Sequence, residues 1–308
     1  MSDYDGKWAF IDNPVAGSGF AGRYLPEVRA EIKRYHPGAD IFSTERPGHA
    51  TELAAGLIEQ GYTHIVAVGG DGTINEIVQS LIGHPEVTFG VVSAGSGNDF
   101  VHVLGFPERF AEKDWVSLFQ AKSVRLDAGK CNGRYFINTL GVGFDAQVAA
   151  DFHKMKIRNG KLRYWIALIK NLIGYKPKRL KLVSEEFSED RAMFMISVGN
   201  GRSSGGGFAV LPNALADDGL LDACVFRFNN DGLIRKTKKL MEVIRGTHNQ
   251  DPTVTPFRTK KLVIESSEDM PMHIDGELFV NSRFEIEIIP AAVNVIVNPG
   301  HPNYLKVV

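Results

Sequence analysis

The stretch VAVGGDGTINEIV, residues 66–78, joins a strand pattern to a helical pattern through a turn that is rich in glycine. The apolar run Ile65–Val68 is typical of a buried strand. Apolar side chains then recur at helical spacing, at Ile74, Ile77, Val78, Leu81 and Ile82. Thr73 and Glu76 have the spacing of a capping box, which predicts a helix with Thr73 as its N-cap. Gly69–Gly72 is therefore the predicted strand-to-helix turn.

The chemistry of this turn points to a nucleotide. Backbone N–H groups at a helix start attract anions, phosphate above all, and glycine lets a phosphate approach the backbone closely. The turn matches neither the G-x-G-x-x-G pattern of dinucleotide-binding folds nor the P-loop pattern. Asp71 would repel a phosphate unless a cation lay between them, and Mg²⁺ is the usual bridge. We therefore expect a magnesium nucleotide here rather than a free phosphate ester.

Two further turns have the same layout. In AFIDNPVAGSG, residues 9–19, a strand pattern leads into Asn13 and two glycines. In FGVVSAGSGNDF, residues 89–100, a strand pattern leads into a turn that contains Ser96. One glycine-rich turn has an ordinary explanation, because tight turns need glycine. Since ligands of open α/β sheets bind outside the carboxyl ends of strands, three such turns together favour a nucleotide site.

The order of the predicted elements indicates an α/β fold with two domains. Strand and helix patterns alternate over residues 1–126, which predicts a parallel α/β nucleotide-binding domain. Residues 127–297 are predicted to form a mostly antiparallel, β-rich acceptor domain with helices near Lys161–Gly174 and Asp231–Gly246. Its predicted strands are Arg134–Leu140, Arg191–Val198, Leu221–Phe228, Lys261–Ser266, Phe284–Ile289 and Val293–Val297. We expect the tail, residues 298–308, to pack back on the first domain.

The composition excludes several classes of protein. The 308 residues carry a net charge of −1, so no overall positive field indicates a nucleic-acid partner. Cys131 and Cys224 are the only cysteines, and their spacing fits neither a metal site nor a disulfide framework. We therefore expect a reducing, cytoplasmic location. The N-terminus lacks the features of a signal peptide, and no apolar run has the length of a membrane span.

Seven segments, taken together, resemble the catalytic-domain family of diacylglycerol kinases, in its soluble bacterial form. They are NPVAGSG (13–19), TERPGHATELA (44–54), VAVGGDGTINEIV (66–78), GSGNDF (95–100), GVGFDA (141–146), NGRSSGGGFAVLPNALADDGLLD (200–222) and HIDGE (273–277). GGDGT alone is less specific, because NAD kinases and relatives of 6-phosphofructokinase share close versions of it. The set occurs in the order of the family and covers nearly the whole chain.

The resemblance implies a nucleotide-binding α/β lobe followed by a sandwich-like β-rich lobe, as in NAD kinases and diacylglycerol kinases. It also implies that ATP is held by the residues of the turns, with Asn75 and Glu76 supporting them. The implied nucleotide contacts are Asn13, Thr44, Gly69, Gly70, Asp71, Gly72, Thr73 and Ser96. LADDGLL, residues 215–221, resembles a structural Mg²⁺ loop, with the carbonyls of Leu215 and Leu220 and the carboxylate of Asp218 as ligands. A plain Asp-Gly turn explains the same letters.

The same resemblance assigns the chemistry. Asp71 would act at the phosphates, Glu277 would accept the proton of the acceptor hydroxyl, and Asp275 would lie close by. The residues alone favour a second interpretation, because Asp-Gly between apolar runs is the commonest signal of a β-hairpin. Both can hold, since a tight hairpin positions a carboxylate rigidly. We give His273 no role.

A basic segment offers a membrane contact. Residues 153–181 contain ten Lys or Arg and no Asp or Glu. Apolar side chains within the segment fall on one helical face, at Leu162, Trp165, Ile166, Ile169 and Ile173. Such a helix can lie peripherally on the inner membrane surface, or its apolar face can pack on its own domain. A homodimer is a further open alternative.

The function that we expect is ATP-dependent, Mg²⁺-assisted transfer of the γ-phosphate to a lipid hydroxyl, as in phospholipid biosynthesis. Diacylglycerol, giving phosphatidic acid, is the first choice. Phosphatidylglycerol, a sphingoid base and undecaprenol stay open as acceptors. The alternatives are phosphorylation of a soluble dinucleotide, as in NAD kinases, and a nucleotide-binding regulatory protein without transfer activity.

Overall fold

The chain forms two compact units. Unit 1 comprises Met1–Ala128 together with Pro290–Val308, and unit 2 is Gly129–Ile289. The computed structural model describes residues 6–95, 97–157, 160–228 and 232–300. The chain therefore returns to unit 1 earlier than the predicted tail, residues 298–308. Of that tail, residues 301–308 lie outside the described residues.

The sheet of unit 1 is parallel, as expected. Its first four strands are β1 (Trp8–Asp12), β2 (Asp40–Ser43), β3 (His64–Gly69) and β4 (Thr88–Ser93). They lie in the order β2-β1-β3-β4, and every pairing between them is parallel. All residues of β1 and β4 are buried, because helices cover both faces of a parallel sheet.

The helices of unit 1 connect these strands. They are α1 (Phe20–Tyr35), α2 (His49–Glu59), α3 (Asp71–Leu81), α4 (Asp99–Val103) and α5 (Glu112–Phe119). Helix α3 begins at Asp71, and its N-cap, Gly70, makes no side-chain cap. The prediction of Thr73 as N-cap is therefore wrong, because the helix already includes that residue.

Unit 1 also contains a strand that the sequence pattern placed in the second domain. After β5 (Ser123–Cys131), the last strand, β14, extends over Glu277–Ile296. Near its end, Asn294 and Val295 pair in parallel with β4. By its contacts the segment Val293–Val297 groups with unit 1, and the predicted domain boundary at residue 297 stays a prediction. The alternating pattern of these residues predicts a strand, but it does not indicate which other strand the segment pairs with.

Unit 2 is built on antiparallel strands. They are β6 (Arg134–Phe136), β7 (Thr139–Gly143), β8 (Lys178–Val183), β9 (Ser188–Met193), β10 (Met195–Gly199), β11 (Leu221–Phe226), β12 (Val254–Thr259) and β13 (Lys261–Ile274). The order β12-β11-β10-β7-β13-β14 is antiparallel throughout. Strand β8 pairs with β13 and β9. The mixed α/β fold with a β-rich second part is confirmed.

The α-helices in the described part of unit 2 are α6 (Phe144–Lys154), α7 (Gly160–Gly174) and α8 (Leu233–Arg245). Apolar side chains from these helices form one buried cluster with the sheet, around Leu168 and Phe226. A second buried cluster includes Val142 and Ile196. Ile196 follows Met195 of the first cluster on β10, so the two residues point to opposite faces of the sheet. Within the described ranges, no helix is long and apolar enough to cross a membrane.

Candidate active site

The three glycine-rich turns of unit 1 lie side by side at the carboxyl ends of β1, β3 and β4. Asn13, directly after β1, donates its backbone N–H to the Val68 carbonyl at 3.0 Å. The Asn13 side chain donates from Nδ2 to Thr73 Oγ1 at 2.9 Å, and its Oδ1 accepts from the Val15 N–H. Asn13 and Thr73 therefore connect the first turn to the second. The residues of the two turns meet as the sequence analysis expected.

Asp71 connects the second turn to the third. Its Oδ2 accepts a hydrogen bond from the backbone N–H of Asn98 at 2.9 Å. Asn98 has a positive φ of 58°, and its own side chain bonds both the N–H and the carbonyl of Gly95. Asn98 was not among the predicted site residues. Its signal was the asparagine after Gly97, because asparagine tolerates the left-handed conformation better than most residues.

Two glycines of these turns are required by contacts within the protein. A Cβ on Gly70 would lie 2.8 Å from the Cα of Gly95, so the two backbones touch where a side chain would stand. A Cβ on Gly69 would lie 2.5 Å from Thr73 Oγ1. Close packing of turn against turn thus explains these glycines, beside the approach of a phosphate that we expected.

Gly72 is different, because a Cβ at this position would meet nothing within 4 Å. Gly72 lies in the first turn of α3, where backbone N–H groups lack intrahelical acceptors. Open space beside such N–H groups is what an anionic phosphate needs. Among the predicted contacts, Gly72 is the position that best fits a nucleotide.

Glu76 has a role that the sequence did not indicate. Its Oε1 accepts from the Gly48 N–H at 2.9 Å, and its Oε2 accepts from the Ala50 N–H at 3.1 Å. Glu76 therefore caps the start of α2 rather than that of its own helix. The capping-box prediction is wrong because the Glu76 carboxylate binds backbone N–H groups at the start of α2 instead of one at the start of its own helix, α3. Asn75 is buried and contacts Gln79.

Of the last two predicted nucleotide contacts, Thr44 and Ser96, the structure describes only Thr44. Thr44 follows β2, and its N–H donates to the Asp12 carbonyl at 2.8 Å, so it lies at the same edge of the sheet as the turns. Ser96 lies outside the described residues. Its role as a contact stays a prediction.

In unit 2, Glu277 stands at the start of β14, immediately after a two-residue hairpin turn. The turn residues Asp275 and Gly276 both have positive φ, 47° and 88°, as a type I′ turn requires. The Arg134 guanidinium contacts the Glu277 carboxylate at 3.0 Å, and about two thirds of that carboxylate side chain is buried, with a relative exposure of 31%. The hairpin interpretation is confirmed. Arg134 was not predicted, because its contact spans a long sequence separation.

Asp275 is buried and serves as an anchor for the backbone. Its two carboxylate oxygens accept three N–H groups, from Ile137 at 3.1 Å, Asn138 at 3.1 Å and Thr139 at 2.9 Å. These bonds interrupt the predicted strand Arg134–Leu140, which is two strands in the structure. They give Asp275 a positioning role, and its participation in the chemistry stays a prediction.

The loop that resembles a Mg²⁺ site is contacted by a positively charged side chain, Arg258 of β12. Asp218 Oδ1 accepts from the Leu220 N–H at 3.1 Å, and the guanidinium of Arg258 contacts Asp218 Oδ2. Arg258 lies across the β11–β12 pair from Asp222, and its Nε is 3.6 Å from the Asp222 carboxylate. Burial raises the pKa of Asp222 to about 6, although the Leu215 N–H partly offsets this.

This donor set does not fit a resident Mg²⁺ ion as it stands. An ion held by the Leu215 and Leu220 carbonyls would need the Asp218 carboxylate, whose charge the Arg258 guanidinium already balances. Over the described ranges, no group of three or more His, Cys, Asp or Glu could hold a metal ion. The assignment of Leu215, Asp218 and Leu220 to a metal therefore stays a prediction, with Arg258 as its competitor.

Sequence analysis missed a partly buried ionisable pair in unit 2. His273 Nε2 lies 3.2 Å from Asp145 Oδ2, and His273 is 5% exposed. Asp145 belongs to the GVGFDA segment and also caps the Ala146 N–H. Gly141 lies beside the pair, where a Cβ would collide with both side chains. The segment itself was the available signal, but its partner on β13 was not visible in sequence.

Known proteins match both parts of the chain. The sequence profile of the diacylglycerol kinase catalytic domain matches residues 7–131. The profile of the YegS C-terminal NAD kinase beta sandwich-like domain matches residues 138–297. Together the two profiles cover most of both units.

Curated relatives extend over nearly the full length. A diacylglycerol kinase of Staphylococcus saprophyticus is 29% identical over 289 residues, covering 90% of this chain and 93% of that protein. A probable lipid kinase YegS-like of Chromohalobacter salexigens is 30% identical over 276 residues, covering 87% and 88%. A crystal structure of a diacylglycerol kinase from Bacillus anthracis has a TM-score of 0.78 at 26% identity, over 96% of this chain and 98% of that chain.

Proposed function

This chain belongs to the family of diacylglycerol and YegS-like lipid kinases, and we propose that it transfers the γ-phosphoryl group of ATP to the hydroxyl group of diacylglycerol. The product would be phosphatidic acid. Membership supplies the class of reaction, a kinase that acts on a lipid. The choice of diacylglycerol rests on the printed names of relatives such as the one from Staphylococcus saprophyticus.

One observation carries the nucleotide part of the proposal. The Asp71 carboxylate binds the Asn98 N–H, and this bond holds two glycine turns together beside the open first turn of α3. Such a rigid frame of backbone donors suits a triphosphate, because phosphoryl transfer relies mainly on positioning and charge neutralisation. Asn13 and Thr73 extend the frame to the turn after β1.

The transfer step can be written with these residues. The acceptor oxygen forms a bond to the γ-phosphorus while the bond to the β,γ-bridging oxygen breaks, and ADP leaves with that electron pair. The hydroxyl proton passes to the carboxylate of Glu277. Arg134, 3.0 Å from that carboxylate, orients it. Mg²⁺, when bound with ATP, would neutralise the charge on the phosphates.

Asp71 has a further duty in this proposal. Its Oδ2 accepts from the Asn98 N–H, and the negative charge of the carboxylate would attract a nucleotide-bound cation. Substitution by asparagine keeps an acceptor for the Asn98 N–H and removes the charge. Substitution by alanine removes both, so the two variants separate positioning from electrostatics.

Labelled ATP tests the proposal. The purified protein is incubated with γ-labelled ATP, Mg²⁺ and either diacylglycerol in mixed micelles or NAD. We expect label in the lipid, and a loss of at least about 100-fold for both Asp71→Ala and Asp71→Asn. Asp71→Asn should keep the melting temperature of the wild type. Label in NAD would instead establish a dinucleotide kinase, and label in neither would favour a regulatory protein.

Glu277 and Asp275 provide a matched pair for the acceptor side. Glu277→Gln should lower kcat by about 10²- to 10⁴-fold without changing stability, because a general base is lost. Asp275→Asn should instead lower the free energy of unfolding by about 1–3 kcal/mol, since the new amide cannot accept from the Ile137 N–H. An active Glu277→Gln enzyme would remove the proposed base. The same assay with phosphatidylglycerol, a sphingoid base and undecaprenol ranks the acceptors.

A further inference from the structure

Two conspicuous parts of the sequence have no role in the proposed reaction. They are the segment GVGFDA, residues 141–146, and the histidine of HIDGE, His273. The fold joins them, because His273 Nε2 lies 3.2 Å from Asp145 Oδ2. His273 is buried, and the Asp145 side chain is 21% exposed. The Asp145–His273 pair thus connects the first turn of α6 to the end of β13, just before the hairpin that carries Glu277.

The glycines of GVGFDA make room for this pair. Gly143, the N-cap of α6, has a φ of 107°, and a Cβ there would lie 2.8 Å from the Phe194 carbonyl oxygen. The chain turns at this glycine, which brings Asp145 back over Gly141. A Cβ on Gly141 would collide with both Asp145 Oδ2 and His273 Nε2. The segment therefore supplies a turn, a gap and the carboxylate that enters the gap.

His273 and Glu277 point to opposite faces of the hairpin. Ile274 pairs directly with Glu277 across the two strands, so the side chains of these two residues share a face. Ile274 belongs to the same buried cluster as Val142. His273 is the neighbour of Ile274 along β13, so it points to the other face, where α6 contributes Asp145. His273 therefore does not share the proton transfer with Glu277.

The hairpin is held from three directions. Arg134 contacts the Glu277 carboxylate at 3.0 Å on one face. Asp275 holds the tip, since its carboxylate accepts the N–H groups of residues 137–139. Asp145 holds His273 on the other face. Loss of the contact on one face would let the hairpin tilt, and a tilt would displace the carboxylate of Glu277.

Stability alone does not explain an ionisable pair at this place. The cost of desolvating two such groups offsets much of their attraction, and apolar side chains of similar size are often as stable. A hydrogen bond differs from apolar packing in its direction, because it restricts both a distance and an angle. The Asp145–His273 pair is therefore better suited to fixing a geometry than to adding stability.

We propose that the Asp145–His273 pair is a positioning element of the kinase, which fixes the hairpin so that the Glu277 carboxylate meets the acceptor hydroxyl. Neither residue of the pair touches the reacting atoms. A misplacement of a reacting group by about 1 Å lowers a rate by up to about 100-fold. The proposal rests on the proposed function, because it needs Glu277 as the base.

Steady-state kinetics of three variants test this role. His273→Ala and Asp145→Ala each remove the bond and should lower kcat about 10- to 100-fold. The KM for ATP should stay within about twofold, because the nucleotide turns belong to unit 1 and the pair to unit 2. His273→Gln offers an N–H donor of similar reach and should restore kcat to within about threefold of the wild type.

His248 provides the matched control. It is a fully buried histidine of the same unit, and it bonds the Val210 carbonyl at 3.2 Å, outside β13 and β14. His248→Ala should lower the melting temperature and leave the kcat of the folded enzyme unchanged. A merely structural histidine at position 273 would give this same result. A melting temperature that falls without a fall in kcat for His273→Ala would therefore overturn the proposal.

A double-mutant cycle identifies the group through which the pair acts. In a Glu277→Gln background the base is already absent, so His273→Ala should have almost no further effect on kcat. The double variant His273→Ala, Asp145→Ala should be no slower than either single variant, because both remove one bond. Losses for His273→Ala and Glu277→Gln that multiply would show that the pair acts elsewhere, against the proposal.

Hydrogen exchange separates a failure of this proposal from a failure of the proposed function. The exchange is measured without ATP or an acceptor, so it needs no kinase activity. Amides of residues 274–280 should exchange at least about fivefold faster in His273→Ala than in the wild type, and at the wild-type rate in His248→Ala. Unchanged exchange in His273→Ala would overturn the positioning role even in an active lipid kinase. Faster exchange together with a fully active Glu277→Gln enzyme would contradict Glu277 as the base and leave the anchor of the hairpin intact.

Discussion

Gly70 and Gly72 stand two positions apart in one turn, and their surroundings differ. A side chain at Gly70 would meet the backbone of Gly95 at 2.8 Å, whereas one at Gly72 would meet open space. Backbone cannot move aside as a flexible side chain can, so the first glycine is needed for the fold. The second is available to a ligand. A single motif thus contains a structural glycine and a functional one.

Alanine at each position should separate these roles. Gly70→Ala should lower the free energy of unfolding by about 1–3 kcal/mol, because the two turns must move apart. Gly72→Ala should leave stability unchanged, since alanine favours a helix, and should weaken ATP binding. Thermal unfolding and ATP titration measure the two effects. Equal stability of both variants would contradict the packing argument, and unchanged ATP affinity of Gly72→Ala would contradict the assignment of the ligand space.

Asp275 and Glu277 show the same division of labour in a second motif. Three backbone N–H groups occupy Asp275, and Arg134 faces Glu277. The letters HIDGE do not distinguish the anchor from the base. Only the backbone that closes around Asp275, from residues 137–139, makes the distinction.

At the scale of elements, the loop before β11 depends on a neighbouring strand. Arg258 of β12 contacts Asp218 and lies opposite Asp222, so its guanidinium is placed where the resemblance expects a metal ion. We therefore expect this loop to keep its fold without an ion. Its charge balance comes from the pairing of two strands rather than from the solution.

Chelation tests this dependence. EDTA should leave the melting temperature of the nucleotide-free protein unchanged, because Arg258 supplies the positive charge. Arg258→Met should lower it by a few degrees, since the pair is partly exposed and is worth about 1 kcal/mol or less. Added Mg²⁺ should then restore part of the loss.

The control for this experiment is Arg179→Met. Arg179 forms a similar cross-strand pair with Asp190 but is 75% exposed, so its removal should have a negligible effect. A wild-type melting temperature that falls by several degrees in EDTA would support the metal ligands Leu215, Asp218 and Leu220 instead.

At the scale of the whole molecule, each unit contains a histidine, partly buried in unit 1 and fully buried in unit 2, whose pKa is lowered by burial. His36 lies in unit 1 beside Trp8 and Phe119. His248 lies in unit 2, fully buried, where the bond to the Val210 carbonyl partly opposes the effect of burial on its pKa. The unfolded chain has histidines with a pKa near 6.5, so it takes up protons first as the pH falls. Both units should therefore lose stability below about pH 6.5.

A His248 variant separates the contribution of this histidine to the pH dependence of stability from the contributions of other titrating groups. Asp222 acts in the opposite direction, because its raised pKa lets the folded state take up a proton first below about pH 6. Unfolding of the wild type and of His248→Gln is therefore compared between pH 7.5 and 5.5. The wild type should lose more stability than the variant, by up to about 1.4 kcal/mol per pH unit below 6.5. Parallel pH profiles would show that His248 does not contribute.

The predictable part of the fold followed from local rules. The parallel strands β1, β3 and β4, the helix after Gly70 and the Asp275–Gly276 hairpin were all visible as periodicity or turn chemistry. The predicted helix start at Thr73 was wrong. The helix begins at Asp71, and the carboxylate of Glu76 caps α2 instead. The strand predicted at Val293–Val297 is largely present as the end of β14, but its pattern did not indicate that it pairs with β4.

The site divides in the same way. The sequence by itself determined which residues stand in the turns, that they carry one carboxylate among glycines, and which kinase family they resemble. Only the tertiary structure decided that Glu76 caps α2 and that Arg258 faces Asp218. It also decided that the predicted apolar face of α7 is exposed, at Leu162, Trp165, Ile166, Ile169 and Ile173. The physical reason is distance along the chain. Periodicity and turn preference act over a few residues, whereas these contacts join segments that only the folded core brings together.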